Sequence, residues 1–310
     1  MRRILLTLLV ATCLAVPRAQ ERALVLSQLT WFDRAGHRLS TIGPLADHGN
    51  LELSPDGGRV AVAVGDREQG THDIWIYDAK GGRVQFTSDP ADENWMIWSP
   101  DGRRAALNSF AATRLALVER PSDGRGAGVD LLVDSAGKWP VSWSPDGRNI
   151  LYVTSTPATG NDIWVLPLTG SRRPAAFLDT NASENWPAFS PDGRYVAYSS
   201  TEPTGDAEVY VAPFEPNGRI WRISAEGGTQ ARWRTPNEIL YVAPDRRLMS
   251  ATVRVVDNNL VVARIEALFT LTYPYGAYHA FDVSKDGQRI LVNTLIVSPG
   301  APTLSASARP

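Results

Sequence analysis

Apolar residues in this chain fall in short runs, many of them alternating, rather than at helical intervals. Val60-Ala-Val-Ala-Val64, Ile74-Trp-Ile-Tyr77, Ile150-Leu-Tyr-Val153, Ile163-Trp-Val-Leu166 and Tyr195-Val-Ala-Tyr198 are rich in β-branched and aromatic side chains. Gly, Pro, Asp and Asn cluster between such runs, as expected for strands separated by turns. Beyond the first twenty residues no stretch keeps a period near 3.6, so the pattern predicts an all-β chain.

The runs recur in a fixed order. Ser-Pro-Asp-Gly stands at 54–57, 99–102, 144–147 and 190–193, Ser-Lys-Asp-Gly at 284–287, and a degenerate Arg-Thr-Pro-Asn at 234–237. Their first residues are 45, 45, 46, 44 and 50 positions apart. An apolar strand precedes each turn, a second follows it, and a third and a weaker fourth complete the unit. Pro presets φ for the turn, Asp bonds nearby backbone N–H groups, and Gly takes the left-handed conformation. Four strands every ~45 residues is the signature of a β-propeller, because one four-stranded blade has two apolar faces and must bury them against its neighbours. The residue before each turn (Leu53, Trp98, Trp143, Phe189, Trp233, Val283) is apolar in all six units. These side chains are expected between blades, where each contributes about 1.5–3 kcal/mol.

The last unit has only two strands, Phe281-Asp-Val283 and Ile290-Leu-Val292. Its missing outer pair is expected at the other end, in Leu29-Thr-Trp-Phe-Asp33 and Leu39-Ser-Thr-Ile42, which align with the third and fourth strands of the other units. The prediction is a six-bladed propeller over 29–297, of four-stranded antiparallel blades, with the last blade closed by the N-terminal strands so that no open edge remains.

Arg2, Arg3 and the apolar run from Ile4 to Val16 read as a signal peptide over 1–19, too short to span a bilayer comfortably. The mature chain is then periplasmic or secreted, without a membrane span. Residues 298–310, low in apolar content, are expected to be a disordered tail. Composition narrows the function further. With 31 basic and 33 acidic side chains the net charge is -2, which argues against nucleic acid as a partner. The single cysteine, Cys13, lies within the signal and allows neither an intrachain disulfide nor a cysteine metal site. The chain is expected to act as a monomer.

Trp98 to Arg103, Trp143 to Arg148 and Asp162-Ile-Trp164 together resemble the TolB-type propeller repeat. That resemblance, over roughly 29–297, implies a six-bladed, often periplasmic propeller that binds proteins or peptides, including components of the cell envelope. Similar propellers accompany bacterial Ser/Thr kinases, as sensor domains, and prolyl-oligopeptidase-type peptidases.

No nucleophile elbow, phosphate loop, dinucleotide fingerprint, zinc helix or EF-hand is legible. Attention therefore falls on the loops leading into the innermost strands, which face one end of the axis. Counting back from each turn gives Asn50, Trp95, Trp139, Trp186, Gln230 and His279, with Asp92, Glu93, Glu184 and Tyr278 beside them. Tryptophans among amides and carboxylates suit a docking surface for a protein or peptide, and equally suit packing between blades. The leading expectation is a non-enzymatic binding propeller without a cofactor. A calcium ion on the axis stays open, as do an enzyme or accessory propeller of a peptidase or polysaccharide-degrading enzyme, and a ligand-sensing propeller.

Overall fold

Ser54 Oγ donates to Asp56 Oδ1 at 2.6 Å and accepts the Arg59 N–H at 2.9 Å. The same two bonds recur at Ser99, Ser144, Ser190 and Ser284. Each Asp also accepts the N–H two residues further on. Gly57, Gly102, Gly147, Gly193 and Gly287 close these turns with φ between +67° and +74°. The repeated Asp is therefore a turn-capping residue. The degenerate fifth copy lacks both Ser and Gly and forms a tighter link, with Thr235 paired directly to Glu238.

These hairpins organise six four-stranded antiparallel sheets in a computed structural model that describes residues 26–296, except 67, 158, 179, 203–204 and 275–278. The expectations for the signal (1–19, with Cys13), the tail (298–310) and Tyr278 fall outside the described residues. Blades 1 to 5 are sequential: blade 1 runs from His48–Leu53 to Arg83–Gln85, blade 2 from Met96–Trp98 to Val129–Asp134, blade 3 from Lys138–Trp143 to Ala175–Leu178, blade 4 from Glu184–Phe189 to Trp221–Arg222, and blade 5 from Thr229–Thr235 to Asn259–Thr270. In each, the strand that begins the blade lies innermost. Blade 6 combines both ends of the described chain in the order Arg38–Ala46, Ser27–Asp33, Arg289–Leu295, Phe281–Val283. Its closing register pairs Trp31 with Leu291 and Thr30 with Val292. There are no helices among the described residues, and so no helix long and apolar enough to cross a membrane.

The core is a set of seams between blades. At the closing seam Leu29, Trp31, Ile42 and Leu291 of blade 6 pack on Leu51, Leu53, Val60, Val62 and Tyr77 of blade 1. Of the residues preceding the turns, Leu53, Trp98, Trp143 and Phe189 are buried, whereas Trp233 and Val283 are partly buried. Arginines after the turns lie over rings: Arg59 over Trp98 of the next blade at 4.4 Å, and Arg104 over Trp143 at 5.0 Å. The wider spacing of the fifth unit coincides with a long outer hairpin, Arg247–Val256 with Asn259–Thr270.

Candidate functional site

Two cavities lie on the propeller axis, one at each end. Both touch Val141 of blade 3. The first, about 370 Å³, opens where the innermost strands begin. Asn50, Trp95, Trp139 and Trp186, all singled out from the sequence, line it. So do His72, Asn94, Ser155, Asn161 and Asn185. Trp139 sits one position earlier than its counterparts relative to the turn motif, and is held edge-on against Phe110 of blade 2 at 5.4 Å. Trp186 occupies a bulge, where the register shifts between Asn185 and Ala188 and φ reaches +52°. A bulge of this kind re-aims one side chain out of the regular alternation. Trp139 and Trp186 are half-buried; Trp95 is only 6% exposed and stacks edge-on against His279 at 4.7 Å.

The other residues singled out are not equivalent to these. Asn50 and Gln230 join blades. Asn50 donates from Nδ2 to the Asn94 carbonyl at 2.9 Å and accepts the His279 N–H at 2.9 Å. Gln230, itself at φ +55°, accepts the Ala280 N–H at 2.8 Å. Amide side chains thus stitch blades 5, 6, 1 and 2 together at the mouth, while Asn161 Nδ2 ties blade 3 to Asn185 Oδ1 of blade 4 at 2.7 Å in the sector that presents Trp139 and Trp186. Asp92 sits at the rim, accepting both the His72 N–H and a bond from Nδ1 of the same histidine at 2.8 Å. The Asp92 bond raises the His72 imidazole above its ordinary value; burial pushes the Asp92 carboxyl up, but the His72 bonds outweigh it and hold it low.

Glu93 and Glu184 are buried at 0% and 1% exposure, and line neither cavity. Glu93 accepts Ser109 Oγ at 3.0 Å, and burial, aided by Asp89, pushes its carboxyl up to about 8. Glu184 accepts Thr180 Oγ1 at 2.5 Å, and burial raises its carboxyl too. His48, at the equivalent position of blade 1, is pressed down to about 4 by burial and so stays neutral near pH 7.

Sequence reasoning missed His72 and the whole second cavity. That cavity, about 440 Å³, opens at the turn end. The residue two before the first position of each turn motif faces it: Glu52, Ile97, Ser142, Ala188, Arg232 and Asp282. Three contiguous blades, 5, 6 and 1, therefore carry charge, and three carry small or apolar side chains. Arg232 reaches Glu52 at 2.7 Å, Asp282 at 3.5 Å and Nδ1 of His279 at 2.7 Å. Burial and the adjacent Arg232 hold the His279 imidazole well below its usual range, so its Nδ1 accepts. Burial pushes the Glu52 carboxyl up to about 7 despite Arg232. The signal was present in the sequence, two or three positions further along the same strands than the residues counted for the mouth.

The enzyme alternative requires Glu184, Asp92 and His279 to converge in one polar pocket. Only Asp92 is at the mouth; Glu184 lies between blades and His279 is turned towards Arg232. Among the described residues no group of three His, Cys, Asp or Glu side chains could hold a metal ion.

No family model matches the chain, and no curated protein matches it in sequence. Its backbone is nevertheless similar to solved structures. One, a protein solved as TolB from Agrobacterium tumefaciens, superposes with a TM-score of 0.69 at 18% identity, covering 88% of this chain and 99% of that one. TolB from Acinetobacter baumannii gives 0.57 at 17% identity, over 78% of this chain and 66% of that one. An oligogalacturonate lyase from Vibrio parahaemolyticus gives 0.56 at 12% identity, over 89% and 79%. At such identities the likeness establishes the fold: the chain is a TolB-like six-bladed β-propeller.

Proposed function

We propose that the chain is an exported, non-enzymatic propeller that binds a protein or peptide at the mouth formed by the leading loops. The carrying observation is the mouth cavity itself, with the half-buried rings of Trp139 and Trp186 among amide side chains. Large aromatic surfaces set among polar groups are where binding energy concentrates. The stitched sector of blades 5, 6, 1 and 2 gives this surface a rigid frame, so little ordering entropy is lost on docking. The leader-like residues 1–19 support export, and the resemblance of the repeat to the TolB type supports a binding role.

A catalytic reading draws on one observation, the His72–Asp92 pair beside the same cavity. A pair of this type can serve as an oriented base. An acidic oligosaccharide, the substrate class named for the lyase, would meet no lysine or arginine among the described residues lining this mouth. Capture of a partner from a cell-envelope extract tests the proposal. The wild-type chain retains a discrete partner, and the double variant Trp139→Ala, Trp186→Ala loses it while melting normally. Unchanged capture by the double variant overturns the proposal. Turnover of a peptide or glycan that disappears in His72→Asn would replace it with the catalytic reading.

A further inference from the structure

Among the described residues the mouth cavity is lined by amide side chains and indole rings, with His72 as its one ionisable side chain. Its asparagines turn their donors inward: Asn50 Nδ2 to the Asn94 carbonyl, Asn94 Nδ2 to Asp92 at 2.8 Å, and Asn161 Nδ2 to Asn185 Oδ1 at 2.7 Å. The opposite end of the Asn94 amide, Oδ1, is buried with no hydrogen-bond partner. Neither lysine nor arginine lines the cavity among the described residues. Lys138, the nearest basic residue in the innermost strand of blade 3, is buried with its Nζ bound to Asp134, the Ala136 carbonyl and the Leu115 carbonyl. Among the described residues His72 is the one basic side chain in the lining, and Asp92 compensates its charge.

A sugar or a bare peptide backbone needs donors and acceptors in comparable number. A guanidinium or ammonium group brings donors only, and the face of a tryptophan attracts it. We infer that the partner bound at this mouth inserts a basic side chain, arginine or lysine, into the cavity lined by Trp139 and Trp186, with its N–H groups directed at the amide side chains of the lining. The inference rests on the mouth being the docking site, and adds the chemistry of the residue that enters it.

The test uses tryptophan fluorescence with three capped pentapeptides, acetyl-Gly-Gly-X-Gly-Gly-amide, where X is arginine, its neutral isostere citrulline, or glutamate. The arginine peptide gives a saturable change, citrulline binds roughly tenfold more weakly, and glutamate does not bind. Ser155 lines the cavity and is exposed, so charge can be placed there without disturbing the core. Ser155→Lys weakens the arginine peptide by about tenfold and Ser155→Asp tightens it severalfold. Equal affinity for arginine and citrulline, no response to arginine, or indifference to Ser155→Lys overturns the inference. Partner capture by wild type and by the Trp139→Ala, Trp186→Ala chain reads the docking site separately, so the two can fail independently.

Discussion

The two ends of the channel are built on opposite terms. At the turn end five of the six hairpins are near copies, with the same Ser–Asp bond of 2.6 Å and the same left-handed glycine. Its arginines are already paired within the chain: Arg232 with Glu52, Asp282 and His279, and Arg234 with Glu238. At the mouth every leading loop differs. Amide bonds tie blades 5, 6, 1 and 2 into one group and blades 3 and 4 into another, and the latter two present half-buried aromatic rings to the cavity. A turn whose conformation must be repeated to keep the strands in register leaves little freedom for recognition; loops released from that constraint can carry it. Charge follows the same division: among the described residues arginine lines the turn end and is absent from the lining of the mouth.

The largest effect is expected at the turn end. Arg232→Met leaves Glu52 and Asp282 facing one another without their cation and destabilises the fold by about 3–5 kcal/mol in urea unfolding. Adding Glu52→Gln to that variant restores part of the loss; no restoration would mean that the cluster is not the cause. Next comes the contrast between tryptophans at the mouth. Trp95→Ala, which opens a cavity beside His279, costs about 3 kcal/mol or more, whereas Trp139→Ala costs clearly less. Equal costs would erase the distinction between a ring that plugs and a ring that presents.

A pH-dependent effect belongs to Glu93. Its carboxyl holds a proton up to about 8 in the folded chain, against 4.5 as its ordinary value. Between these values the folded state binds more protons than the unfolded state, so this residue makes stability fall as pH rises from about 4.5 to 8. Glu93→Gln removes that contribution, and its melting temperature declines less across the same window. His48 acts in the opposite direction: its stabilising contribution is lost as pH falls from about 6.5 to 4. Smallest is Arg59→Ala, which uncovers Trp98 and removes bonds to the Ser122 and Gly102 carbonyls of the next blade, for about 1 kcal/mol by thermal melting. Peptide affinity at the mouth should be untouched by it.

How much was legible can be judged residue by residue. Pro-Asp-Gly spacing sufficed for six units, for the turn-capping role of Asp, and for the pairing of Trp31 with the last strand, Arg289–Leu295, since each follows from local conformation and counting. Trp139 and Trp186 could be placed at the mouth by counting back from the turn motif, although the bulge that aims Trp186 was not legible. Asn50 and Gln230 could not be told apart from binding residues, since an amide that bonds across a blade boundary looks the same in sequence as one that faces solvent. Glu93 and Glu184 were expected at the surface; the position they occupy faces into the seam between blades, where a carboxylate is uncommon. Arg232 escaped notice because its partners, Glu52 and Asp282, lie 180 and 50 residues away along the chain.

The amino-acid order alone determined an all-β chain, its repeat length, its turns and the closure of the ring, because these depend on short-range φ preferences and on the alternation of apolar positions. Only the tertiary structure decided which side chains became stitches, which became a buried ion cluster and which were left facing a cavity. Those roles depend on the distance between residues of different blades and on how much water each position excludes, and neither quantity is a property of any one segment.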